Sequence, residues 1–101
     1  MKVLLGNEAI AYGIAKFGVD VAAAYPGTPS SEILESLASL IYGSDAHIEW
    51  SVNEKVALET AAGASFAGLR GACFMKHVGL NVALDALVTL AYTGIDGALL
   101  I

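Results

Sequence analysis

Apolar residues fall along this chain in two alternating patterns, short β-favouring runs and longer segments with helical spacing. Lys2–Leu5 reads as a first short strand. Asn7 is placed to cap a helix carrying Ile10, Ile14 and Phe17, with Gly18 closing it. Val21–Tyr25 reads as the next strand, its small side chains suited to cover on both faces. Thr28 and Pro29 suit the N-cap and first position of a helix running through Ile33, Leu34, Leu37 and Ile41. His47–Val52 is a third strand and Glu54–Leu69 a third helix, ending near Arg70-Gly71. Ala72–Met75 is a fourth strand, followed by a polar loop over Lys76–Gly79. Asn81–Tyr92 is a helix with Leu84, Leu87, Val88 and Ala91 on one side, and Ala98–Ile101 a fifth strand. The order is βαβαβαβαβ. Such alternation predicts an α/β fold, an open parallel sheet with right-handed crossovers and helices on both faces.

The stretch WSVNEKVALETAAGAS, Trp50 to Ser65, organises the rest. An apolar strand hands over abruptly to a helix rich in small residues: Ala57, Ala61, Ala62, Gly63 and Ala64. Small residues let other backbones come close. Asn53 and Glu54 stand at the junction. In an open α/β sheet ligands bind outside the carboxyl ends of the strands, so a carboxylate at this handover is placed to meet one. Glu54 is the first candidate functional residue. The plainer reading is a first-turn glutamate complementing the helix dipole.

Composition adds an interface to this picture. Of 101 residues 56% are hydrophobic and 15% charged, against about 45–50% and about 25% in ordinary domains. One domain, residues 1–101, accounts for the length, and the surplus apolar surface calls for a neighbouring domain or subunit. The alternative is an alanine-rich domain that stands alone. The chain stops at GALLI, a buried-strand pattern with nothing after it, which points to the N-terminal piece of a longer polypeptide.

Charge and cysteine content narrow the classes. The net charge of −5, with no basic stripe, argues against nucleic acid. No apolar run reaches the roughly 18–20 residues of a membrane span, and the N-terminus lacks a secretory signal, so the expected compartment is cytoplasmic. Cys73 is the single cysteine, so this segment alone makes neither an internal disulfide nor a cysteine-held iron–sulfur cluster. Its place in a strand makes buried core its default reading.

Several signatures are missing. The chain has no GxGxxG and no GxxxxGK[ST], and Gly63-Ala-Ser-Phe-Ala is not GxSxG. His47 and His77 are too far apart to form a local metal pair, so no metal site is expected in this segment. What remains is three strand-to-helix loops, YPGTPSSE (25–32), SVNEK (51–55) and MKHVGLN (75–81), expected at one edge of the sheet. They offer the Thr28 hydroxyl, the Glu54 carboxylate and the basic Lys76 and His77, a set suited to a small polar or anionic ligand.

In their order and spacing YPGTPSSE, NEKVALE (53–59) and MKHVGLNVALD (75–85) make the chain similar to a known domain. It resembles the N-terminal domain of the large subunit of indolepyruvate:ferredoxin oxidoreductases, which belong to the thiamine-diphosphate-dependent 2-oxoacid:ferredoxin oxidoreductases. The resemblance runs from about Val3 to Ile101. It implies a pyrimidine-binding domain, with Glu54 as the glutamate that pairs with the aminopyrimidine ring of the cofactor and favours its imino tautomer. Asn53 and Pro26 would lie against the cofactor. Thr28 would lie next to the 2-oxoacid. Gly27 replaces a bulkier aliphatic residue of pyruvate-specific relatives, which fits an aryl pyruvate. Lys76 and His77 would belong to an active-site loop.

The same resemblance implies what the segment lacks. The cofactor's diphosphate half and its Mg²⁺ need a second domain with a GDG motif, absent here. Iron–sulfur clusters would also lie elsewhere. Expected partners are a 2-oxoacid, coenzyme A and ferredoxin, with a smaller beta subunit, a second copy of the chain, or both. The segment alone is expected to be inactive. Two other readings stay open: a pyruvate or 2-oxoglutarate:ferredoxin oxidoreductase, and a non-catalytic α/β module for ligand binding or assembly. Thr28 as a plain N-cap, Lys76 and His77 as solvated loop residues, Glu59 turned away from the ligand edge and Arg70 capping the end of the third helix are the structural readings of those positions.

Overall fold

The computed structural model describes residues 2–101. Four helices and four strands alternate: α1 (Gly6–Phe17), β1 (Val21–Ala24), α2 (Ser31–Leu40), β2 (His47–Trp50), α3 (Glu54–Phe66), β3 (Arg70–Phe74), α4 (Gly79–Thr93) and β4 (Ala98–Leu100). All strand pairs are parallel, in the order β2-β1-β3-β4. The expected α/β sheet with helices on both faces is present. The strand expected at Lys2–Leu5 is not. Both sides of β1 are taken by β2 and β3, and Val3 is 97% exposed. This run leads straight into α1 instead.

The two faces are built differently. Ala11 and Ile14 of α1 and Leu34 and Leu37 of α2 pack on Ala22, Ala24, Ala72 and Phe74. On the other face Ala57, Leu58 and Ala61 of α3 pack on Ala23 and Cys73, with Ala83 and Ala86 of α4 behind them. The small residues of α3 permit contact close enough that a β-carbon on Gly71 would stand 2.2 Å from the Ala61 carbonyl oxygen. Alanine lines α3 because its helix is pressed between a sheet and a second helix.

Several boundaries differ from expectation for identifiable reasons. Asn7 does not cap α1. Its side-chain amide donates to the Pro29 carbonyl at 2.9 Å and to Glu32 Oε2 at 3.2 Å, tying α1 to the start of α2. α2 begins at Ser31, so Thr28 is not its N-cap and Pro29 is not its first residue. α3 stops at Phe66 because Gly68 turns the chain with a φ of 82°. Arg70 opens β3, and its guanidinium donates to Phe17 O at 3.1 Å. It therefore caps α1 rather than α3. α4 starts two residues before the expected Asn81, and its inward residues are Gly79, Ala83 and Ala86. Leu84 and Val88 remain 46% and 49% exposed on its outer side. Among the described residues no helix is long and apolar enough to cross a membrane.

Candidate functional site

Strand register decides where the three loops meet. Ala24, the last residue of β1, pairs with Trp50 on one side and Phe74 on the other, and each ends its strand. The loops after β1, β2 and β3 therefore leave one edge of the sheet side by side. β1 lies between β2, which follows it through α2, and β3, which follows through α3 on the opposite face. The chain changes direction at β1, the position where open α/β sheets hold ligands.

Glu54 stands at this edge and is buried, with 6% of its surface exposed. Asn53 fixes it there: its extended backbone (φ −162°) starts α3, and its Oδ1 accepts from Val56 N at 2.9 Å. The Glu54 side chain reaches the first residue of α4. A β-carbon built on Gly79 would lie 2.7 Å from Glu54 Cγ and 3.1 Å from Cδ, and 3.1 Å from Met75 Cβ. The Glu54 charge is felt by Cys73. Burial pushes that thiol up to about 12, and the nearby carboxylate adds to the shift. The Glu54 side chain is buried while its carboxylate oxygens still reach the surface, so it can hold a hydrogen-bonding ring at the sheet edge.

The loop after β1 is organised by Gly27. Its N–H donates to Ser31 Oγ at 2.8 Å, and its carbonyl accepts from Ser31 N at 2.9 Å and from the hydroxyls of Ser30 and Ser31 at 3.1 Å. Pro26 and Thr28 on either side are exposed, and Thr28 makes no side-chain hydrogen bond among the described residues. Lys76 crosses over from the loop after β3 and lies against Gly27. Lys76 and His77, with Ser30, Ile33, Cys73 and Met75, line a cleft of about 310 Å³ at this edge. Lys76 is half-buried and His77 exposed. His47 opens β2 at the far end of the sheet and pairs with Glu49 at 3.2 Å, so the two histidines do not meet. A larger apolar groove of about 500 Å³ lies away from this edge, between α1 and the first residues of β3. It lacks convergent polar groups, the Arg70 guanidinium being spent on Phe17 O.

Residues 12–95 match the family described as pyruvate flavodoxin/ferredoxin oxidoreductase, thiamine diphosphate-binding. The chain belongs to this family. Curated oxidoreductase subunits of the family agree along nearly all of it. It is 57% identical over 98 residues to the indolepyruvate oxidoreductase subunit IorA of Archaeoglobus fulgidus, covering 93% of this chain and 16% of that one. Against the IorA subunit of Pyrococcus horikoshii it is 52% identical over 99 residues, covering 98% and 15%. A solved 2-oxoglutarate:ferredoxin oxidoreductase of Magnetococcus marinus, with 2-oxoglutarate, coenzyme A and succinyl-CoA bound, shares the fold with a TM-score of 0.65 and 26% identity over 69% of this chain and 12% of its own. The chain thus spans about 15% of the length of the IorA relatives it matches.

The residues present fit the family's cofactor at one end. Glu54 is a buried side chain whose carboxylate oxygens remain accessible, and no donor among the described residues bonds to it. An aminopyrimidine ring would supply that partner. Sequence reasoning overlooked Gly79, read there as part of a polar loop, and Met75 beside it. The one available signal was a glycine at the mouth of a helix, where glycine is a poor helix former.

Proposed function

We propose that this chain is the pyrimidine-binding domain, spanning 1–101, of an oxidoreductase that converts an aryl pyruvate such as indolepyruvate to its acyl-CoA. Carbon dioxide leaves, coenzyme A takes the acyl group, and two electrons pass to ferredoxin. The observation that carries the reading is the Glu54 carboxylate at the sheet edge, on a buried side chain and without a hydrogen-bond donor among the described residues. Thiamine diphosphate, when bound, supplies the carbanion chemistry of the decarboxylation. Glu54 would hold the aminopyrimidine ring through its ring nitrogen, with Asn53 setting the helix start that presents it and Pro26 packing beside the ring. Thr28 and Gly27 would border the 2-oxoacid, and Lys76 and His77 would close the cleft on the β3 side.

The diphosphate half and its Mg²⁺ belong to another domain of the enzyme, as do the iron–sulfur clusters. The exposed apolar side chains of α4, Leu84 and Val88 among them, fit cover by such a domain, by a smaller subunit or by a second copy. The working compartment is the cytoplasm. The relatives named for indolepyruvate support the aryl substrate, while a weaker likeness to the ketoisovalerate oxidoreductase subunit VorA of Pyrococcus abyssi (39% identical over 71 residues) keeps branched 2-oxoacids in the panel.

The test is turnover of the full-length enzyme with coenzyme A and an electron acceptor. Indolepyruvate should exceed pyruvate, 2-oxoglutarate and ketoisovalerate in kcat/KM by tenfold or more, a gap of about 1.4 kcal/mol. Glu54→Gln should abolish turnover and leave the fold intact. Normal turnover in that variant would sink the role of Glu54.

A further inference from the structure

Gly79 is the first residue of α4, buried, with its N–H donating to the Lys76 carbonyl at 2.9 Å. Its backbone has no positive φ, so conformation does not call for glycine there. Glycine also forms helices poorly. What its missing side chain provides is room. The place of a β-carbon is filled by the Glu54 side chain, whose Cγ and Cδ lie 2.7 and 3.1 Å away, with Met75 Cβ also at 3.1 Å. Real β-carbons do not stand 2.7 Å from another carbon. An alanine at 79 would have to displace Glu54 or α4.

We infer that Gly79 is a positioning residue for Glu54, forming the wall that sets where its carboxylate meets the cofactor. The inference rests on the reading of Glu54 given above. Glu54 is held at its root by the start of α3, and Cys73 lies within reach of its charge. Gly79 closes another side of the same small space. Hydrogen bonds to charged groups depend steeply on alignment, so a displaced carboxylate loses a large part of its pairing with the ring.

The experiment compares two compounds on the full-length enzyme: thiamine diphosphate, and an analogue with carbon in place of the ring nitrogen that Glu54 would meet. Dissociation constants are read by calorimetry for the parent, Gly79→Ala and Glu54→Gln. Gly79→Ala should bind thiamine diphosphate at least about tenfold more weakly than the parent, the scale of one hydrogen bond to a charged group. Parent and Gly79→Ala should bind the analogue alike. A merely structural defect would weaken both compounds equally, and that result overturns the inference, as does unchanged binding of both. Should Gly79→Ala not fold, Gly79→Ala combined with Met75→Gly removes the Met75 β-carbon that also crowds the new methyl, and the same comparison decides. Glu54→Gln separates the two claims. If it discriminates between the compounds and Gly79→Ala does not, the positioning role falls alone. If Glu54→Gln leaves both affinities unchanged, the reading of Glu54 falls and the role of Gly79 with it.

Discussion

Lys76 lies across Gly27: a β-carbon on Gly27 would stand 3.2 Å from both Cγ and Cδ of the lysine and 3.4 Å from its Cβ. The space left by glycine in the YPGTP loop is thus taken by a side chain from the loop after β3. This gives the glycine a local reason beside the expected one of admitting a large substrate. The two loops become one mechanical unit at the mouth of the cleft. Gly27→Ala should be mild, because a flexible lysine stem yields by a few tenths of an ångström. Gly27→Val should displace it. On the function proposed above, a double-mutant cycle on the KM for the 2-oxoacid should show Gly27→Val and Lys76→Ala coupled by about 0.5–3 kcal/mol. Additive effects would show that the contact has no functional weight.

Arg70 ties the first helix to the sheet. Its guanidinium donates to Phe17 O at 3.1 Å and lies 5.2 Å from the Phe17 ring centre, while its backbone N–H donates to Asp20 Oδ2 at 2.8 Å. Gly18 makes this possible, since a β-carbon there would stand 2.5 Å from Arg70 Nη1 at a φ of 101°. Arg70→Met keeps the stem and loses the cap. Amide exchange in the last turn of α1 should quicken about fivefold, corresponding to a hydrogen bond of roughly 1 kcal/mol, with α2 unchanged. Gly18→Ala should quicken it further, because it adds backbone strain to the lost cap. Unchanged exchange in both variants would remove Arg70 from the account of α1.

Much of this was legible in the sequence, and the failures have common causes. Alternating periodicities gave four of the five expected strands and all four helices, because strand runs and helical stripes differ in period whatever they pack against. Lys2–Leu5 has the composition of a strand but no vacant edge beside β1, and pairing is a tertiary fact. In sequence Asn7 and Arg70 read as caps of the nearest helix end, yet each bonds across the fold, to Pro29 and to Phe17. The place of Glu54 at the sheet edge was legible because a strand-to-helix handover shows in the residues. The crowding around Gly79 was not, because it concerns the position of an atom the residue lacks.

Two glycines should respond to alanine in opposite directions. On Gly71 a methyl would meet the Ala61 carbonyl oxygen at 2.2 Å and its carbon at 2.9 Å, both backbone atoms of a packed helix. Neither can turn aside, so Gly71→Ala should destabilise by about 3 kcal/mol or more, at the upper end of overpacking costs. Gly63 lies inside α3 with nothing within 4 Å of the same position and no positive φ. Gly63→Ala should stabilise by about 0.4–1 kcal/mol, through helix propensity and a less free unfolded chain. Thermal unfolding of the purified protein checks both. A fall in Tm for Gly63→Ala would mean that another part of the protein packs on that face of α3.

The thiol of Cys73 supplies a pH signature for the same region. It is buried on β3, and burial, reinforced by the Glu54 charge, raises it from 9.0 to about 12. A raised acid holds its proton in the folded state while the unfolded chain releases it. Between about pH 9 and pH 12 the folded state therefore binds more protons than the unfolded one, and stability falls as pH rises through that window. Below pH 9 both states are protonated and the group adds no slope. Since the thiolate is the reactive form, Cys73 in the folded protein should resist alkylation at pH 8 and react only at the rate of opening. Cys73→Ala should flatten the decline in Tm above pH 9 and leave Tm between pH 7 and 8 nearly independent of pH. Rapid labelling of the native protein at pH 8 would show instead that Cys73 is open to solvent, and the enclosure of Glu54 beside it would have to be redrawn.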